Sequence, residues 1–265
     1  MTSHSFHAPN LASSLVRMEA VSKTFANGTL ALDNVSLTLE QGEFLSLLGP
    51  SGCGKSTILR LLAGLERPST GTISWHDETA HASLGYVFQE PTLMPWASVW
   101  ANVYLPLRVK GISPRHAQND IANALGLVGL SGFEQALPRE LSGGMRMRVS
   151  IARAMVMKPK ILLMDEPFAA LDEITRLRLN NDLLNLTTQS QTSVVFVTHS
   201  VYESVYLSTR IAVMSPRPGR MIDIINIPPA PRTDEFRLSP LYLENCQRAS
   251  HALQSAMTQG SEGLR

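Results

Sequence analysis

Hydrophobic residues fall into two alternating patterns along the chain. Short runs of aliphatic, β-branched and aromatic residues, EFLSLLGP, TISW, GYVFQ, ILLMD, SVVFVT and RIAVMS, read as strands. Longer stretches with apolar residues at helical spacing, such as KSTILRLLAGL, separate them. This alternation predicts an α/β architecture. The central runs are unbroken by charge, as strands of a parallel sheet covered on both faces should be.

Between Pro91 and Lys158 the pattern turns wholly helical, through ASVWANVYLPL, SPRHAQNDIANALGLVGL and GMRMRVSIARAMVM. A helical block inside a strand series predicts an inserted lobe over about 91–158. From Pro228 the composition shifts again. PPAPR is expected to end the compact part, with SPLYLENCQRASHALQSAM forming a terminal helix in a tail over 228–265. Residues 1–14 read as a polar, flexible leader, leaving 15–227 as the main domain.

Composition narrows the partners. Lys plus Arg number 23 against 22 Asp plus Glu, a formal net charge of +1, so nothing in the balance points to nucleic acid or an anionic surface. The two cysteines, Cys53 and Cys246, are too few for a disulfide framework and are not spaced as a metal knuckle, so a reducing compartment is expected. The first 15 residues lack the basic start and apolar stretch of a secretory signal. No apolar run approaches the roughly 20 residues of a membrane-spanning helix.

Three stretches carry chemistry. GPSGCGKST, Gly49 to Thr57, fits G-x-x-x-x-G-K-[ST] at Gly49, Gly54, Lys55 and Ser56, between a strand and a helix. Glycines let backbone N–H groups curl around phosphate, the helix N-terminus adds positive potential, Lys55 reaches the β/γ oxygens and Ser56 can ligate Mg²⁺. The second stretch, ILLMDE, ends a strand in two acids. By itself this is an ordinary helix cap, but beside a phosphate loop Asp165 can hold Mg²⁺ and Glu166 can accept a proton from an attacking water. LSGGMRMR, Leu141 to Arg148, resembles another phosphate-binding helix start, with the capped helix as its plain alternative.

Phe25, the Gly49 loop, Gln89, LSGG, ILLMDEP, AALD and His199 occur in the order and spacing of the ATP-binding subunits of ABC transporters, and the resemblance covers nearly all of Val16 to Arg220. It implies a P-loop NTPase (RecA-like) core with a small antiparallel β subdomain and an inserted α-helical subdomain. The implied cofactors are ATP and Mg²⁺. The implied assembly is a head-to-tail homodimer, in which Ser142, Gly143 and Gly144 of one subunit close over ATP held by Gly49, Pro50, Ser51, Gly52, Cys53, Gly54, Lys55, Ser56 and Thr57 of the other. Phe25 matches the aromatic that stacks on adenine, and Asp172 in AALD the dimer-interface aspartate. Ser56, Gln89 and Asp165 match the Mg²⁺ ligands. Glu166, with Lys55, Gln89 and His199, matches the catalytic set. Read without the family, Phe25 is core packing, Gln89 a polar strand end, Asp172 a helix cap and His199 incidental.

The chain departs from that pattern at Met145, where the family commonly has Gln, and at Ser200, where it commonly has Asp. Cys53, the methionines Met145, Met147, Met155 and Met157, and Arg146 and Arg148 are expected to be packing or surface residues.

FQEPTLMPWASVWANV and MSPRPGRM resemble segments of importers for nitrate, taurine and alkanesulfonates. The resemblance implies peripheral attachment to the cytoplasmic face of the inner membrane. The partners implied are integral membrane permease subunits docking beside Gln89 and, indirectly, a periplasmic or lipoprotein solute-binding protein; no nucleic acid is expected. The rival readings are a non-transport ABC-type ATPase of DNA repair or translation, and another P-loop kinase or GTPase. Coiled-coil or zinc insertions would mark the first, and an N-K-x-D motif a GTPase; none is found.

Overall fold

A computed structural model describes residues 14–81 and 83–262. Nine strands, β1 (Ser14–Thr24), β2 (Leu30–Glu40), β3 (Phe44–Leu48), β4 (Thr70–Trp75), β5 (Leu84–Val87), β6 (Ile161–Asp165), β7 (Ser193–Thr198), β8 (Arg210–Met214) and β9 (Met221–Asn226), form two sheets among the described residues. The helices are α1 (Lys55–Leu62), α2 (Glu78–His81), α3 (Val99–Val109), α4 (Pro114–Leu127), α5 (Gly143–Met155), α6 (Glu173–Ser190), α7 (Val201–Leu207) and α8 (Pro240–Glu262).

The larger sheet has the order β5-β6-β7-β3-β8-β9, parallel except for the antiparallel β8–β9 pair. Its side chains divide strictly by period two. Phe44, Leu48, Leu162, Met164, Val194, Phe196, Ile211 and Val213 point into one core, which includes the helical lobe. Leu45, Leu47, Ile161, Leu163, Val195, Val197, Ala212 and Met214 point into a second core, shared with α1 and the small sheet. Both faces are buried, which is why these runs carry no charge before their ends.

The smaller sheet is antiparallel, with the order β2-β1-β4. Its register shifts around Ala20 and Asn34, both in the left-handed region with φ of 50° and 53°. There side-chain hydroxyls stand in for the ladder: Ala20 N donates to Ser36 Oγ at 3.0 Å and Asn34 N to Ser22 Oγ at 3.0 Å.

Helices α3, α4 and α5 stand between β5 and β6 and pack on one another. The segment leading into them is pinned from within. Buried Asn102 accepts from Met94 N at 2.8 Å and donates to the carbonyls of Ala97 and Ser98, each at 3.0 Å. Arg153 donates to the carbonyls of Pro91 and Thr92, each at 2.9 Å. Met147 and Met155 are buried in the core, Met145 and Met157 pack against it, and Arg148 pairs with Asp182 at 2.7 Å. Among the described residues no helix is long and apolar enough to cross a membrane.

The expectation that PPAPR ends the compact part is corrected. Phe236, Tyr242, Cys246, Ala249 and Ala256 are buried members of the larger core. Arg237 stacks on the Tyr206 ring at 3.4 Å and Arg232 on the Phe236 ring at 4.3 Å, and Tyr242 Oη donates to the Tyr202 carbonyl at 3.1 Å. The proline cluster marks a bend onto the domain surface. Two neighbouring residues offer a measure of this docking, since Phe236 is 6% exposed and Leu238 82%. Phe236→Ala should cost about 3 kcal/mol in urea denaturation, whereas Leu238→Ala should stay within about 0.5 kcal/mol of the unaltered chain. Equal, small effects would show the segment to be an appendage.

Candidate active site

Strand β3 runs directly into the Gly49 loop, and the loop into α1. Gly54, at φ 101°, caps the helix, and a Cβ there would stand 2.5 Å from Leu32 Cδ2, so only glycine brings the loop this close to β2. Lys55 is 4% exposed, and its ammonium donates to the carbonyls of Gly49 at 2.8 Å and Pro50 at 2.9 Å. A buried cation needs such partners, and a third is the Glu166 carboxylate, 3.6 Å away.

Parallel pairing brings the other strand ends alongside. Leu48 lies opposite Thr198, and Asp165 opposite Val197, so the loops after β3, β6 and β7 leave one edge of the sheet together. Ser56 Oγ donates to Asp165 Oδ1 at 2.8 Å. Burial pushes the Asp165 carboxyl above the usual carboxylate range, and the Ser56 bond works against that rise. Burial and the neighbouring Asp165 charge push the Tyr86 phenol up as well. Glu166 follows at φ 45°, a strained conformation for a non-glycine residue, costing on the order of 1 kcal/mol. Its N–H is tied to the Val197 carbonyl at 3.1 Å, and its carboxylate lies 3.5 Å from His199 Nδ1. In this conformation the carboxylate lies between Lys55 and the exposed His199 ring.

Beside these groups opens a cavity of about 210 Å³. Gly52, Gly54, Lys55, Ser56, Thr57 and Glu166 line it together with Phe25, Thr29, Ala31 and Arg217. The half-buried Phe25 is held by a turn in which its N–H donates to the Thr29 carbonyl at 2.9 Å. Backbone donors, a lysine and a carboxylate, together with an aromatic ring, suit a nucleoside polyphosphate. Ser56 and Asp165 are hard oxygen donors, and a pair of protein ligands completed by phosphates and water is what Mg²⁺ takes. Gln89 lies two residues beyond β5, exposed, and is not among the residues lining this cavity. The Cys53 thiol is buried, and burial pushes its pKa up.

A second group of site residues gathers elsewhere. Ser142 caps α5, accepting from Met145 N at 3.2 Å, and Asp172 caps α6, accepting from Thr175 N at 2.9 Å. A Cβ on Gly144 would stand 2.7 Å from Thr175 Cγ2 and one on Gly143 3.6 Å from Leu171, so the LSGG and AALD segments touch. Ser142, Gly143, Gly144 and Asp172 are absent from the lining of the cavity. The cap roles of Ser142 and Asp172, the plain readings of the sequence, are both present in the fold.

Glu203, which the sequence patterns did not single out, lies under the His199 loop. Its carboxylate accepts from Thr198 Oγ1 at 2.6 Å and lies 3.7 Å from Arg176 Nε, while Thr198 Oγ1 accepts from Ser200 N at 3.0 Å. Ser200 caps α7, accepting from Glu203 N at 3.3 Å. Arg217 of SPRPGR, a segment singled out in the sequence only for its resemblance to importer subunits, also lines the cavity. A lone glutamate and a lone arginine carry no spacing signal, so both emerge only from the fold.

Sheet order and loop together define a P-loop nucleotide-binding fold. The family described as ABC transporter matches residues 32–169. An uncharacterized ABC transporter ATP-binding protein of Methanocaldococcus jannaschii is 47% identical over 219 residues, 80% of this chain and 82% of its own. An aliphatic sulfonates import ATP-binding protein of Bacillus cereus is 41% identical over 83% of this chain and 90% of its own. A nitrate import ATP-binding protein of Synechocystis is 40% identical over 89% of this chain and 92% of its own. An ATP-binding cassette solved as a dimer in a post-hydrolysis state bound to ADP and Pi superposes with a TM-score of 0.71, at 31% identity, over 82% of this chain and all of that one. The chain belongs to the ATP-binding subunits of ABC transporters and is an ATPase.

The buried Glu203 gives a pH test of the His199 loop. Burial raises its pKa, outweighing the Thr198 bond and the Arg176 charge, so the folded state keeps its proton to higher pH than the unfolded chain. This proton-linked stability is present at acid pH and is lost as pH rises through the folded pKa. Glu203→Gln removes the titration. The melting temperature of the variant relative to the unaltered chain should therefore rise between pH 4 and pH 8. A difference that is flat or falls with pH would contradict the buried-carboxyl assignment.

Proposed function

We propose that the chain is the ATP-hydrolysing subunit of a bacterial importer for a small solute such as nitrate, taurine or an alkanesulfonate, working as a head-to-tail homodimer on integral membrane permease subunits. The observation that carries this reading is the division of the site. The cavity holds Lys55, Glu166 and the phosphate loop, while the LSGG and AALD residues lie outside its lining. A second copy, turned head to tail, would bring Ser142, Gly143, Gly144 and Asp172 over the phosphates held by the first.

In this reading Phe25 stacks on the adenine, and the N–H groups of Gly49–Thr57 cradle the phosphates. Ser56 and Asp165, with Gln89 brought in by the helical lobe, would hold Mg²⁺, which supplies charge neutralisation on the phosphate oxygens. Lys55 stabilises the β/γ oxygens. Glu166, fixed between Lys55 and His199, takes a proton from the attacking water, and His199 donates toward the γ-phosphate.

The importer class rests on likeness to the sulfonate and nitrate import proteins and on FQEPTLMPW and SPRPGR. The first segment carries Trp96, 79% exposed, on a stretch fixed by Asn102 and Arg153, a rigid apolar surface on which a permease helix can seat. The chain would then lie on the cytoplasmic face of the inner membrane, with a periplasmic or lipoprotein solute-binding protein beyond the permease.

Glu166→Gln should lower ATP turnover by at least about a hundredfold while keeping nucleotide affinity, and light scattering with excess Mg²⁺-ATP should give twice the mass of one chain. A variant that stays single while the unaltered chain hydrolyses ATP at a rate linear in its concentration would refute the two-chain site.

A further inference from the structure

The turn between β8 and β9 is built tightly against the nucleotide cavity. Ser215 N donates to the Arg220 carbonyl at 3.0 Å and Arg220 N to Ser215 Oγ at 2.9 Å, closing the turn on itself. Ser215 Oγ in turn donates to the Pro218 carbonyl at 3.0 Å. The turn is also stitched to β2. Gly219 N donates to the Ala31 carbonyl at 2.9 Å, Asp33 N donates to the Gly219 carbonyl at 3.0 Å, and the Arg220 guanidinium grips Asp33 at 2.9 and 2.6 Å. A Cβ on Gly219 would collide with the Cys53 carbonyl oxygen, so the turn rests on the backbone of the phosphate loop itself.

One long side chain of this turn is left untied. Arg217 is exposed and lines the cavity, and among the described residues no hydrogen bond or ion pair engages its guanidinium. Lys55, the other cation at the cavity, already has two carbonyls and Glu166 around its ammonium. Gly219, two residues on, bonds Ala31 and lies against the Cys53 backbone, and Arg217 lines the cavity together with Phe25 and Lys55. Five fixed N–H donors on a rigid mount, with no protein acceptor, suit non-bridging phosphate oxygens.

We infer that Arg217 is a nucleotide-binding residue, pairing its guanidinium with the polyphosphate. This rests on the reading of the cavity as the ATP site and adds to it a cation that comes from the β8–β9 turn, outside the phosphate loop. The Gly219 contact and the Arg220–Asp33 pair act as the mount, positioning Arg217 without touching the ligand.

Mg²⁺-ADP tests this without hydrolysis, by titration calorimetry on the full chain at low and high ionic strength. Arg217→Ala should weaken binding about five- to tenfold at low salt, and the gap should narrow as salt rises, because a rim charge is screened. Arg217→Lys should keep most of the affinity, and both variants should melt, ligand-free, at the temperature of the unaltered chain. Phe25→Ala provides the contrast, since its loss should not depend on salt. Unchanged affinity in Arg217→Ala would overturn the inference, and so would a loss that ignores salt, which would report stacking on the base or a displaced turn. If the unaltered chain fails to bind Mg²⁺-ADP, the nucleotide reading itself falls and this inference with it.

Discussion

Parallel pairing of β3 with β7, and of β7 with β6, is the constraint on which the site depends. Those three strands are Phe44–Leu48, Ser193–Thr198 and Ile161–Asp165, and each is buried on both faces. Their chemistry is therefore confined to their ends. Because the strands run in one direction and end in register, Gly49, Asp165–Glu166 and Thr198–His199 leave the sheet at the same edge. A slip of one residue in either pairing would turn every side chain to the wrong core and part Lys55 from Glu166. The hydrophobic cost of that slip holds the geometry of the candidate site.

The electrostatics then follow from crowding. Lys55 is buried, Asp165 is held above its ordinary pKa by burial, and Glu166 stands between a lysine and a histidine in a strained backbone. Groups already oriented and partly desolvated need little reorganisation when charge develops on a phosphate. The same crowding buries Cys53, whose thiol is pushed away from ionisation even with Lys55 nearby.

Much of this was legible in the sequence because it is local. The six strand runs named from pattern alone all fall on strands, since period and charge pattern depend on neighbours a few residues apart. The phosphate loop depends only on spacing between adjacent elements. What escaped is non-local. In β1 and β2 the alternation breaks where Ala20 and Asn34 take left-handed conformations, so the run loses its period although the strand continues. Arg217 and Glu203 meet the site only through tertiary packing. The tail was misread for the same reason: PPAPR is a composition signal for a break, but the apolar face of α8 has a destination on the domain, and that is not written in the break.

That destination bears on the His199 loop. Helix α7 follows His199 directly and has seven residues, too few to persist in water alone. Its order comes from neighbours. Val205, Tyr206 and Leu207 are buried in the core that α8 helps to close. The one Tyr206 hydroxyl proton is shared between Asn181 Oδ1 at 2.6 Å and the Arg232 carbonyl at 2.9 Å, Arg237 covers its ring, and Tyr242 binds the carbonyl of Tyr202. Glu203, on the same helix, holds Thr198, and Thr198 holds the backbone of Ser200. The position of the His199 loop is thus set from below by residues 228–262 as well as from beside by β7. A segment that composition sets apart from the domain supplies the floor on which one of its site residues stands.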